Sequence, residues 1–166
     1  MTVALSPLPL KEGANNPSVN MIQYFLQTLK FYSEPIDGIF GPKTKEAVLK
    51  FQAANGLVQD GIVGVNTAIS LDNEAWAVQQ DILEEGFAGE GVKAFQEMYN
   101  NYFGTLAVDG VFGPQTKAEV IKFQESQGLI ADGVVGPKTW SSLYSLVNHD
   151  IPTEQRISSI FDVSEC

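Results

Sequence analysis

Residues 109–143 read DGVFGPQTKAEVIKFQESQGLIADGVVGPKTWSSL, and residues 37–71 read DGIFGPKTKEAVLKFQAANGLVQDGIVGVNTAISL. Laid over one another without a gap, the two stretches agree at roughly 20 of 35 positions. Internal repetition of this kind decides the architecture before any single residue does. Upstream the match continues with a one-residue offset, Leu10, Gly13, Val19 and Gln23 answering to Leu83, Gly86, Val92 and Gln96. Two units of about 65–70 residues therefore fill most of the chain.

A shorter period lies inside each unit. An Asp-Gly pair, two apolar residues and a second Gly recur from Asp37, Asp60, Asp109 and Asp132. Asp-Gly favours a tight turn because Gly tolerates positive φ. The second Gly falls at a helix N-cap, and Pro42, Pro114 and Pro137 follow at the first helical position, where a missing N–H costs nothing. Thr44, Thr67, Thr116 and Thr139 land in the first turn. Each string launches a helix.

Helical stripes surround these launchers. Val19, Ile22, Leu26 and Leu29 form one before the first launcher, and Ala47, Val48, Phe51 and Ala54 form the next. Val120, Ile121 and Phe123 repeat the second stripe. Gly56 and Gly128 read as C-caps. A short third helix is expected from Val65 to Leu71, and from Pro137 to Leu143. No strand pattern is evident, so the fold class is all-α, two tandem three-helix modules. The expected division is an N-terminal arm (1–7), a first module (8–71), a linker helix (72–80), a second module (81–147) and a C-terminal tail (148–166). Trp76 and Val78 are expected to mediate contact between modules.

The net charge is −10 and no basic patch hides in it, since each module and the tail are separately acidic. Such a surface repels phosphate backbones and anionic headgroups, which excludes nucleic acid and membrane as natural partners. No stretch approaches the roughly 18 apolar residues of a membrane span. The lone cysteine, Cys166, allows no internal disulfide. The opening MTVALSPLPL has no early basic residue and is broken by Pro7 and Pro9, so it does not read as a secretory signal.

Together these motifs resemble the peptidoglycan-binding-domain-like family, a three-helix module appended to many bacterial and phage wall hydrolases. The second unit carries nearly all of the pattern: Val92, Phe95, Gln96, Asp109 to Thr116, Phe123, Gln124, Gly128, Leu129, and Asp132 to Trp140. The first departs where Val65 and Ala68 replace Pro and Trp. The resemblance implies a groove for glycan or stem peptide on each module, and no activity.

Candidate ligand residues follow from the repeated positions. Asp37, Asp60, Asp109 and Asp132, with the backbone of Gly38, Gly61, Gly110 and Gly133, either hold turns or face ligand polar groups. Gln52 and Gln124 follow a core Phe directly, so they point elsewhere, toward a groove or into a backbone bridge. Trp140 either stacks on a sugar ring or packs beneath the third helix; its absence from the first unit suggests that the second module binds better. Tyr99, Tyr102 and Phe103 line a groove mouth or close the bundle.

His149, the single histidine, lies in the tail, and neither a zinc-ligand set nor a nucleophilic triad can be assembled around it. No catalytic residue, metal or cofactor is expected. The expected function is non-catalytic cell-wall binding that brings a partner enzyme or particle to the wall, facing the wall or carried on a virion. The alternative is a structural adaptor in a phage virion or injection machine, its tail docking on another subunit through Ile157, Ile160 and Phe161.

Overall fold

Each launcher produces a helix in the computed structural model, which describes residues 7–162. Residues 1–6 and 163–166, and with them most of the expected arm, Val163 and Cys166, lie outside the described residues. In chain order the helices are α1 (Pro17–Thr28), α2 (Pro42–Ala54), α3 (Val65–Ala77), α4 (Glu90–Asn100), α5 (Pro114–Ser126), α6 (Pro137–Val147) and α7 (Thr153–Ile160). No strand occurs among the described residues, only single antiparallel bridges such as Leu10 to Val63 and, in the repeat, Leu83 to Val135.

The helix ends follow from local chemistry. Gly41, Gly113 and Gly136 sit extended at the N-caps of α2, α5 and α6, each followed by Pro in the first turn. At the other end of α2, Gly56 adopts φ +66°, and the Leu57 N–H donates back to the Gln52 carbonyl at 2.9 Å. Gly128 and Leu129 repeat this after α5, at φ +69° and 2.8 Å. This αL closure satisfies carbonyls that the helix leaves open.

The described chain divides into two compact units. One runs up to Ala75 and resumes at Ile151; the other is Trp76–Asp150. The first core gathers Val19, Ile22, Leu26, Phe40, Val48, Phe51 and Leu71, and takes Ile157, Ile160 and Phe161 from α7. The second gathers Val92, Phe95, Phe112, Val120, Phe123, Trp140 and Leu143, and takes Ala77 and part of Trp76 from the end of α3.

Three expectations are corrected here. First, no separate linker helix spans 72–80: α3 runs on past Leu71 to Ala77. It stops where the Gln80 side chain donates to the Trp76 carbonyl at 3.1 Å. Second, Trp76 belongs to the second unit and not to a linker. Its ring stacks on Tyr144 at 4.2 Å and meets Trp140 edge-on at 5.6 Å, all within the second unit, while Val78 is exposed. Third, the tail does not present Ile157, Ile160 and Phe161 to a partner, because they are buried in the first core.

The repeat explains that third correction. Ala68 and Asp72 in α3 occupy the positions of Trp140 and Tyr144 in α6. In the second unit two large rings fill that place and receive Trp76. In the first, Ala68 is small, and α7 adds Ile157, Ile160 and Phe161 to the same core. Arg156 on α7, itself buried, donates to Asp72 Oδ2 at 3.3 Å and to the Asn73 side-chain oxygen.

Candidate functional site

Four glutamines build four copies of one polar cluster. In the second unit, Gln124 Nε2 lies 3.0 Å from Asp132 Oδ1, 2.9 Å from the Val134 carbonyl and 3.1 Å from Thr139 Oγ1. The Gly133 N–H donates to Gln124 Oε1 at 2.9 Å, and the Val134 N–H donates to Asp132 Oδ1 at 2.9 Å. The backbone donor fixes which side of the amide is oxygen. Gln96 makes the same set with Asp109, Val111, Thr116 and Gly110. So does Gln52 with Asp60, Ile62, Thr67 and Gly61, and Gln23 with Asp37, Ile39, Thr44 and Gly38.

These clusters lock each launcher loop onto the preceding helix. A buried amide, threonine hydroxyl and glycine N–H would each cost free energy if left without a partner, and the cluster satisfies all three. The glycine is required by its backbone. Gly133 has φ +74°, and a Cβ there would lie 2.9 Å from Lys117 Cγ. The carboxylates of Asp37, Asp60 and Asp109 respond to their donors. Asp37 is held below the usual carboxylate range first by the Gln23 amide and then by the Ile39 N–H. Asp60 and Asp109 are lowered first by the N–H two residues on, Ile62 and Val111.

The candidate ligand residues therefore divide. Gln52 and Gln124 are only 1% exposed; they are backbone bridges, not groove residues. Gly38, Gly61, Gly110 and Gly133 are buried, and their N–H groups already donate to glutamine. Asp37, Asp60, Asp109 and Asp132 remain exposed, each with Oδ1 engaged in its turn. Trp140 is 4% exposed, and its Nε1–H donates to the Asp81 carbonyl at 2.9 Å. It meets Phe95 edge-on at 5.4 Å. No sugar can stack on a ring so placed; Trp140 is a core residue of the second unit. Tyr99 closes the bundle: it is buried, its hydroxyl donates to Glu119 Oε2 at 3.0 Å, and burial with that carboxylate beside it pushes its pKa up to about 12. Phe103 stacks on Tyr99 at 4.7 Å with its outer surface exposed, and Tyr102 is exposed beside it.

Sequence reading missed two things here. Gln23 and Gln96 stand to their launchers as Gln52 and Gln124 do, a role that their alignment with one another does not reveal. The launcher threonines were read only as first-turn residues, yet each is buried against an amide. Four glutamines each preceding an Asp-Gly pair were the available signal.

An open cleft of about 440 Å³ lies beside the last lock. Leu129, Ile130, Val134 and Pro137 give it apolar walls; Asp132 stands on its loop side and Lys138 on the first turn of α6. Ile130 is 84% exposed, and its counterpart in the first unit, Val58, is 78% exposed. Apolar walls with a few convergent polar groups are the ordinary makeup of a ligand site. Among the described residues no group of three or more His, Cys, Asp or Glu is arranged to hold a metal ion.

Known proteins carry the same unit. The family model described as "Putative peptidoglycan binding domain" matches residues 15–71 and again 88–143. A zinc D-Ala-D-Ala carboxypeptidase of Streptomyces albus G is 48% identical over 71 residues, which is 41% of this chain and 28% of that one. An autolytic lysozyme of Clostridium acetobutylicum is 38% identical over 144 residues, 86% of this chain and 41% of the lysozyme. The matched stretches thus span less than half of either enzyme. A crystal structure of a peptidoglycan-binding protein from Clostridioides difficile, in complex with glutamine hydroxamate, shares 37% identity over 41% of this chain and 43% of that one, with a TM-score of 0.40. With two matches accounting for most of its length, the chain belongs to the peptidoglycan-binding domain family, as two tandem copies.

Proposed function

We propose that this protein binds peptidoglycan without cleaving it, and that it holds a partner enzyme or particle at the cell wall. The observation that carries the reading is the duplication itself. The family model matches twice, each unit has its own core and two locked launchers, and the two matches together occupy most of the described chain. The launcher carboxylates support the non-catalytic part, because each has an oxygen committed to its own turn. Two modules on one chain raise avidity through effective concentration when both engage the same wall. The adaptor alternative has less support, since the apolar face of the tail packs into the first core.

Co-sedimentation of the full-length protein with purified sacculi tests the reading. Saturable pelleting without release of soluble sugar or peptide is the expected result. Absence of pelleting would overturn wall binding, and release of fragments would overturn the non-catalytic reading. Trp140→Ala is unsuitable as a binding-site probe: truncating a buried Trp costs about 3–5 kcal/mol, so it tests the fold of the second module.

A further inference from the structure

We infer that Asn55 is a modification site: the Gly56 nitrogen displaces its side-chain amide, and the first module comes to carry aspartate or isoaspartate at the end of α2. Cyclisation of this kind needs an Asn or Asp followed by glycine, whose nitrogen, with no Cβ beside it, can approach the preceding side chain closely. Five places in the chain meet that condition, Asn55-Gly56 and the Asp-Gly pairs that begin at 37, 60, 109 and 132. Covalent chemistry ranks all five as candidates, and the fold separates them.

The four Asp-Gly pairs are shielded. Gly38, Gly61, Gly110 and Gly133 are buried, and each N–H donates to a buried glutamine Oε1 at 2.9–3.0 Å. A nitrogen so bonded keeps its proton and cannot turn toward the aspartate. Each aspartate Oδ1 is held in turn by the N–H two residues on, and a carboxylate anion is a poor electrophile. Gly56 stands differently. It is exposed, nothing lies within 4 Å of where a Cβ would stand, and among the described residues its N–H meets no acceptor. At the equivalent place in the second module the Gly128 N–H donates to the Glu125 carbonyl at 3.2 Å. Gln127 there replaces Asn55, and its longer side chain would have to close a larger ring, which forms more slowly.

Asn55 is half-buried at the C-cap of α2 with ψ +11°. Its Nδ2–H donates to the Phe51 carbonyl at 3.0 Å, and the αL closure beside it rests on the Leu57 N–H bond to the Gln52 carbonyl at 2.9 Å. Helix ends open locally at low cost, and that opening frees both reacting atoms. The Gly56 nitrogen then loses its proton and bonds to Asn55 Cγ. The Cγ–Nδ2 bond breaks, and ammonia leaves with that proton. Water opens the cyclic imide, giving aspartate by attack at Cγ and isoaspartate by attack at the main-chain carbonyl. One water is consumed and one ammonia released, with no change of oxidation state. Either product loses the amide bond to Phe51 and puts a negative charge beside the open carbonyls of α2, where the helix dipole opposes it. Isoaspartate also adds a methylene to the main chain just before Leu57, which packs against the first core. The first module is therefore weakened with time, and the second is not.

The test keeps the full-length protein in warm, mildly alkaline, ammonia-free buffer and samples it over time. Peptide mapping by mass spectrometry locates each amide turned to acid, and an isoaspartyl methyltransferase counts isoaspartate. Asn55 should convert well ahead of Asn66 and Asn73, which no glycine follows, while the four Asp-Gly pairs stay intact. In urea, with the glutamine bonds broken, the Asp-Gly pairs should form isoaspartate as well. Asn55→Gln, the residue of the second module, should abolish the early conversion and leave the fold unchanged. In the converted protein, hydrogen-exchange protection of the Val48 and Phe51 amides should fall about tenfold, the weight of one lost hydrogen bond, and that of Val120 and Phe123 should hold. Conversion of Asn55 no faster than that of Asn66 and Asn73 would overturn the assignment. So would isoaspartate appearing at the Asp-Gly pairs of the folded protein as fast as at Asn55. Conversion with unchanged protection at Val48 and Phe51 would overturn the weakening of the first module.

Discussion

Truncating Ile157 to alanine should remove most of the first module's stability while leaving that of the second unchanged. The side chain lies on α7, is 3% exposed, and belongs to the same core as Val48, Phe51 and Leu71 although about a hundred residues separate it from them. Large-to-small changes at such sites cost about 2–5 kcal/mol, the transfer of the lost methyl groups plus the cavity left behind. Here the cavity can close only by displacing α7, which Arg156 pins to Asp72 and Asn73. The loss therefore falls toward the middle of that range, about 3–4 kcal/mol. A module of this size has a single core worth roughly 3–5 kcal/mol, so most of its margin disappears. Residue-resolved hydrogen exchange reads the outcome. Amides of Val48 and Phe51 should lose protection by two to three powers of ten, at about 1.4 kcal/mol for each, while those of Val120 and Phe123 keep theirs. Unchanged protection at Val48 and Phe51 would show that α7 does not support this core. Equal loss in both modules would show one cooperative unit, and the argument from two separate cores would be refuted.

Other outcomes follow from the same contacts. Gln124→Met keeps the volume but leaves the buried Gly133 N–H and Thr139 hydroxyl without their partner, and should cost about 2–4 kcal/mol in thermal or urea unfolding of the second module; a change under about 0.5 kcal/mol would mean the lock contributes nothing net. Arg156→Met leaves Asp72 partly buried and uncompensated, a loss on the order of 3 kcal/mol at neutral pH. Burial already raises the Asp72 pKa against the pull of Arg156, so the penalty should shrink as pH falls and the carboxyl takes up its proton; a penalty constant between pH 7 and 4 would contradict this. The depressed carboxyls of Asp37, Asp60 and Asp109 act in the opposite sense. Their contribution is complete above the unfolded Asp value near pH 4 and is lost as pH drops through the lower folded values. Unfolding midpoints should therefore fall below about pH 4, and replacing Asp109 with Asn should flatten that acid limb; an unchanged limb would count against the loop carboxylates as its cause.

The sequence alone settled the repeat, the helix class and the helix starts, because those depend on local chemistry. Asp-Gly turns, Gly N-caps, Pro in the first turn and αL glycines act over a few residues, and their spacing is visible without a fold. The αL closures at Gly56 and Gly128 were legible for the same reason. The ends of the third helices were not: Leu71 looks terminal in the repeat, yet α3 runs on to Ala77 because Ala75 and Ala77 each find a core to enter. Roles that depend on what lies opposite in space were likewise hidden. An amphipathic Gln after a core Phe reads the same whether it faces a groove or a buried loop, and only the fold turned Gln52 and Gln124 inward. Trp140 reads equally well as a sugar platform in the sequence, and only the fold sets Trp76 and Phe95 against its ring. The tail's apolar face demanded a cover, but the identity of that cover, the first module's own core, rests on burial between segments far apart in the chain. The hydrophobic effect is non-directional and pairs surfaces by shape and volume, so the sequence dictated that Ile157, Ile160 and Phe161 be buried, and only the tertiary structure decided where.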